Sequence, residues 1–167
     1  MKLRYAAILL MVLLLNGCGI YSFSGTSIQP DVNTITINTF EYKAQRVNPT
    51  LANELSEAVR TQFRKMTRLE QVDLDGDLEI SGEITGYSIS AAAVTADEVA
   101  ARNRLSISIK VDFSNRKYPG DDFSGKTFSN YADYDSSQTI DAVESQLVTE
   151  IIEKLVEDIF NATVAQW

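Results

Sequence analysis

Over residues 104–113 the chain alternates without a break: Leu105, Ile107, Ile109, Val111 and Phe113 are interleaved with Arg104, Ser106, Ser108, Lys110 and Asp112. Successive side chains of a strand point to opposite faces, so this pattern demands a strand with one dry face and one wet one. The dry face has to be covered and the wet face has to meet polar surroundings. The rest of the chain must therefore supply a lid for one side of a sheet.

Two amphipathic helices can form that lid. Leu51, Leu55, Val59, Phe63 and Met66 recur about every four positions, whereas Glu54, Glu57, Arg60, Arg64 and Lys65 mostly lie off the stripe. Asn48-Pro49 marks the start of this helix, with the asparagine as cap and the proline at the first helical position. A longer helix is expected over roughly 140–165, where Ile140, Val143, Leu147, Ile151, Leu155 and Ile159 form the stripe. Glu144, Glu150, Glu153, Glu157 and Asp158 line its other side, and Lys154 sits one turn after Glu150.

Three more strands complete the sheet. Residues 34–40 place Ile35 and Ile37 on one side and Thr34 and Thr36 on the other. Residues 124–134 carry Phe128, Tyr131 and Tyr134 after the Pro119-Gly120 turn. Residues 78–93 change parity partway: Leu78, Ile80 and Ile84 share one face, then Tyr87, Ile89, Ala91 and Ala93 share the other. A period of two cannot do this without an extra residue, which predicts a bulge near Gly86. Strand, helix, three strands and helix imply an α+β two-layer sandwich, with both helices packed on one face of a mixed four-stranded sheet.

The chain start sets its address. Lys2 and Arg4 precede an apolar run over residues 5–15, and Gly17 sits directly before Cys18, the one cysteine of the chain. The run is shorter than the roughly 20 residues a membrane-crossing helix needs, but it suits an export signal. With the small residue and cysteine it reads as a bacterial lipoprotein leader. On this reading residues 1–17 are cleaved and Cys18 becomes the acylated first residue. Residues 18–33 form the lipidated N-terminus and tether, in which Tyr21 and Phe23 suggest partial packing, and residues 34–167 form a single domain. Several acyl chains hold a protein at a membrane stably, which one does not.

Lys2 and Arg4 leave with the leader, so the formal charge falls from −8 to −10. An acidic surface repels nucleic acid and anionic lipid, which leaves the acyl groups as the link to the membrane. The sequence has no histidine, no free thiol once Cys18 is modified, and no serine in a nucleophile-elbow context. Asp73, Asp75 and Asp77 around Gly76 lack the spacing and closing glutamate of a calcium loop and read as a turn. An enzyme, a cofactor and a metal site are not expected. Arg102 and Arg104, where the alternating strand begins, are either ordinary charges at a strand end or a small anion site.

In order along the chain come Gly17-Cys18-Gly19 with Tyr21-Ser22-Phe23-Ser24-Gly25, the helix after Pro49, and Gly82-Glu83-Ile84-Thr85-Gly86-Tyr87. Asn103-Arg104-Leu105, Tyr131-Ala132-Asp133-Tyr134 with Ser136-Ser137, and the ending from Asp158 to Trp167 follow. In these segments the chain resembles the lipopolysaccharide-assembly lipoproteins, the LptE family, in the branch found in Bacteroidetes. The resemblance implies a two-helix, four-stranded sandwich, anchored in the outer membrane and facing the periplasm. It further implies a non-catalytic plug and assembly factor for a large LptD-like outer-membrane β-barrel that inserts lipopolysaccharide into the outer leaflet. Lipopolysaccharide contact in such proteins involves basic residues between middle strands and near the last helix. Arg102 and Arg104 lie near the first region, whereas residues 133–138 carry no basic residue. A periplasmic lipid-binding or transfer lipoprotein, and an envelope lipoprotein with another protein partner, are the alternatives.

Overall fold

The structure, a computed structural model, describes residues 27–92 and 101–165. The leader, Cys18, Tyr21, Phe23, Ala93 and Trp167 lie outside the described residues. In chain order the elements are β1 (Thr34–Ile37), β2 (Glu41–Tyr42), α1 (Leu51–Met66), β3 (Glu70–Gln71), β4 (Leu78–Ala91), β5 (Arg102–Asn115), β6 (Phe123–Asp135) and α2 (Ile140–Thr163). A 3-10 turn, Pro119–Asp121, links β5 to β6.

The alternating segment is the middle of β5, paired antiparallel with β4 on one side and β6 on the other. Leu105, Ile107, Ile109 and Val111 are fully buried. Across the ladders Ile109 meets Ile84 and Phe128, and Leu105 meets Ile89 and Ala132, so apolar rows run through all three strands. The parity change in β4 is a bulge, since the register shifts between Ile84 and Gly86 with Thr85 as the extra residue. The bulge returns Tyr87 and Ile89 to the face of Ile80 and Ile84.

The sheet has six strands, not the expected four, in the order β3-β1-β4-β5-β6 with β2 also on β4. Two local causes account for the difference. The first expected strand, residues 34–40, stops at Ile37, and beyond it the Phe40 N–H donates to the Ser56 hydroxyl of α1 at 3.0 Å instead of to a neighbouring strand. Beyond the break, β2 resumes parallel pairing with β4 at Glu41–Glu83 and Tyr42–Ile84. The second cause is β3, two residues paired parallel with β1 as the chain leaves α1. A two-residue strand has no periodicity to read in the sequence.

Both helices pack on the apolar face. α1 buries Leu51, Leu55, Ser56, Val59 and Phe63, and α2 buries nine residues including Ile151, Leu155 and Phe160. Phe63 and Phe160 meet edge to face, ring centres 5.2 Å apart, and join the helices. α1 begins at Leu51, two residues later than Pro49 would place it. The cap position is therefore Thr50 and not the expected Asn48, which instead braces the turn before the helix: its Oδ1 accepts the Leu51 N–H at 3.1 Å and the Thr50 N–H at 3.2 Å. Residues 27–33, the end of the expected tether, are tied to the body, with Val32 fully buried and Ile28 packed on the core.

Candidate functional site

With the apolar face of the sheet covered by the helices, its other face is left open. Ser88 and Ser90 of β4, Ser106 and Ser108 of β5, and Thr127 and Ser129 of β6 occupy it, all partly or fully exposed. The Ser108 and Ser129 hydroxyls share a hydrogen bond of 2.9 Å, directly across the ladder. Hydroxyls can donate and accept, so such a face docks against polar surroundings without fixing the sign of the partner's charge.

The sequence-predicted arginines lie at one end of this face. Arg104 is opposite Asp133 in the β5–β6 register and holds it in a two-pronged pair, Nε to Oδ1 at 2.7 Å and Nη2 to Oδ2 at 2.8 Å. Its guanidinium also stacks 3.6 Å above the centre of the Tyr131 ring. Hydrogen bonding from Arg104 holds the Asp133 carboxyl below the usual carboxylate range. Arg102 is exposed and faces Asp135, whose carboxyl is itself lowered by the Ser137 hydroxyl and N–H. The two arginines do share one strand end, but with two carboxylates between them.

At the far end of the sheet stands a polar latch that sequence reasoning took for a plain turn. Asp77 Oδ2 accepts the N–H of Asn33 at 2.8 Å and of Thr34 at 3.2 Å, and Oδ1 pairs with Lys117 Nζ at 3.1 Å. Lys117 also donates to the Asp31 carbonyl, the Tyr118 hydroxyl donates to Asp31 at 2.9 Å, and Gln29 donates to Asp121 at 3.2 Å. Asp75 is held by Arg116 at 2.9 Å. Among the described residues no cluster of histidine, cysteine and acidic side chains could hold a metal ion. Nothing short-range in the sequence signals this latch, because every partner of Asp77 is about forty residues away.

The Asn33 N–H, then Lys117 and the Thr34 N–H, pull Asp77 down to about 2 from 3.8, outweighing the partial burial that opposes them. A depressed carboxylate stabilises the fold above its unfolded value, and the gain is lost as pH falls from about 4 through about 2. Asp77→Asn is therefore expected to cost about 1–2 kcal/mol at pH 7, discounted for the exposed side of the group. At pH 2 the variant and parent should differ much less. Urea unfolding at the two pH values checks this, and an equal loss at both would refute it.

Fold and surface together define a class: a small α+β sandwich with both helices on one face of the sheet and an open, hydroxyl-rich face on the other. The chain belongs to the LptE lipopolysaccharide-assembly family, whose profile it matches over residues 32–163. It is thus a non-catalytic outer-membrane lipoprotein, lipid-anchored and facing the periplasm, that works with the LptD barrel and lipopolysaccharide. Among solved structures, the hypothetical protein CT253 from Chlamydia trachomatis shares the fold at a TM-score of 0.53 and 9% identity, covering 78% of this chain and 97% of that one. A minor lipoprotein from Acinetobacter baumannii matches at 0.43 and 12% identity, covering 72% and 89%. The rare lipoprotein B from Shewanella oneidensis matches at 0.42 and 16% identity, covering 75% and 90%. No curated protein matches the chain.

Proposed function

We propose that this protein acts as a plug, seated in the lumen of its barrel and held there by an acylated Cys18. The observation that carries the reading is the open sheet face, a hydroxyl-rich surface. Such a surface suits the polar interior of an outer-membrane barrel. Residues 1–17 serve as the cleaved leader, residues 18–33 as lipidated N-terminus and tether, and residues 34–167 as the single plug domain. A plug meets the barrel wall on more than one side. Photocrosslinkers placed in cells at Ser88 and Ser106 on the sheet and at Thr149 on α2 should all give adducts with the barrel. Adducts from one side alone, or from neither, would defeat the reading.

Within it, Arg102 and Arg104 form the anion contact for lipopolysaccharide phosphates. Arg102 leads because it is exposed, and Arg104 shapes its surroundings through Asp133 and Tyr131. Arg102→Glu is expected to weaken lipopolysaccharide binding about tenfold with the fold intact. Arg104→Glu, which sets a like charge against Asp133, should also lower stability. Binding unchanged by Arg102→Glu would remove the contact without touching the plug proposal.

A further inference from the structure

β6 ends the sheet: one of its sides pairs with β5, and the other meets no strand among the described residues. The Ser136 N–H donates to the Ala101 carbonyl at 3.1 Å, one step beyond the Arg102–Asp135 pair. Backbone groups alternate sides along a strand, and the register runs unbroken from there to Val111–Lys126. Even-numbered residues of β6 therefore bond to β5, whereas Thr127, Ser129, Tyr131 and Asp133 turn their N–H and C=O groups outward. Among the described residues only the Tyr131 carbonyl of this outer row is taken, by Lys154 Nζ of α2 at 3.2 Å.

Proteins blunt such edges with bulges, prolines, short strands or charges. β6 has a bulge at its start, where Ser124 and Gly125 stand opposite Asp112 and the Asp112 carboxylate accepts the Gly125 N–H at 2.8 Å. From Lys126 to Asp135 the edge then continues for about 30 Å without a proline. Lys126 leans over the rings of Phe123 and Phe128, its Nζ 5.0 and 5.6 Å from their centres, so Thr127 to Ser129 is an uncharged stretch. Beside it, Asp158 of α2 accepts a hydrogen bond from the neutral Asn130 at 2.6 Å. Asp158 forms no ion pair among the described residues.

We propose that this edge takes an extended segment of the barrel partner as an added strand. The segment hydrogen-bonds to the outward groups of Thr127 and Ser129 and sets a basic side chain beside Asp158. The free N–H and C=O groups supply the affinity, and the lone carboxylate selects the sign of the charge. Other occupants fit less well. A membrane offers no backbone to pair with, and a second copy would set two chains of formal charge −8 edge to edge. The inference uses the family's barrel partner and holds whether or not the domain sits in the barrel lumen. It leaves the open sheet face free for further contact.

Residue-resolved amide hydrogen exchange tests it, on the protein alone and on its complex with the barrel. Alone, Thr127 and Ser129 should exchange fast and Phe128 and Asn130 slowly, because only the second pair bonds to β5. In the complex the first two should slow by about tenfold or more. Fast exchange of Thr127 and Ser129 in the complex would overturn the proposal. Slow exchange already in the protein alone would also overturn it, since the chain itself or a second copy would then hold the edge. Ser129→Pro deletes an outward N–H and spares the β5–β6 ladder, because proline is tolerated at outward positions of edge strands. It should cut the barrel recovered with the protein about tenfold at a near-parental urea midpoint, whereas Ser129→Ala should recover the parental amount. Equal recovery in all three would overturn the proposal, whatever the adducts at Ser88, Ser106 and Thr149 show of the lumen. The exchange comparison uses the parent chain and decides the matter even where Ser129→Pro fails to fold. Asp158→Lys should also lower recovery, and unchanged recovery would overturn the choice of a basic segment.

Discussion

Phe63→Ala is expected to lower unfolding free energy by about 3–5 kcal/mol, the range for removing a buried aromatic ring. Phe63 is 1% exposed, and its ring meets Phe160 of α2 edge to face within the core. Truncation removes its transfer free energy, leaves a hole that Val59 and Leu55 cannot fill, and deletes the edge-to-face contact with Phe160. A domain of this size has about 5–15 kcal/mol in total, so the variant sits close to its unfolding limit. Urea titration of the soluble form should show a lower midpoint at unchanged slope, because the surface exposed on unfolding is nearly the same. A loss under 1 kcal/mol would mean that the two helices are not locked through this ring. Phe63→Leu, which keeps most of the volume, should recover more than half of the loss.

How much of this was legible in the sequence depends on how far apart the partners are. The strict alternation of residues 104–113 and the four-residue recurrence in both helices depend on neighbours alone, and they gave two helices covering one face of a sheet. The bulge was legible for the same reason, since a parity change within β4 needs no knowledge of its partners. β2 and β3 were missed because each is defined by pairing, and beyond Ile37 the Phe40 N–H turns to Ser56 instead of to a strand. The site divides in the same way. Arg102 and Arg104 stood out as scarce positive charges, but the occupation of Arg104 by Asp133 depends on a register spanning 29 residues. Asp77 looked like one more carboxylate in an acidic turn. Its role follows from three backbone and side-chain donors that the fold brings to it.

The turn that delivers Asp77 depends on Gly76, and Gly76→Ala is expected to cost about 3 kcal/mol. A Cβ at this position would lie 2.5 Å from the Thr36 nitrogen, 2.8 Å from the Ile35 carbonyl carbon and 2.8 Å from the Leu78 oxygen. All three are backbone atoms, so no rotamer change relieves the overlap and the turn must lift away from β1. Lifting it breaks the Gly76 N–H bond to the Thr36 hydroxyl, 3.0 Å, and withdraws Asp77 from the N–H groups of Asn33 and Thr34. The variant should therefore lose stability at neutral pH and also lose the acid-dependent part that Asp77 contributes. Two glycines provide the comparison. At Gly120 nothing lies within 4 Å of an added Cβ, and Gly120→Ala should be neutral within about 0.5 kcal/mol. At Gly82 the added atom would meet the Lys110 oxygen at 2.5 Å and the Phe40 ring at 2.6 Å. The ring can turn aside but the oxygen of the neighbouring strand cannot, so the loss there should be large with the acid dependence kept. If Gly76→Ala unfolds with the parent's pH profile, Asp77 has not moved and the turn has yielded in some other way.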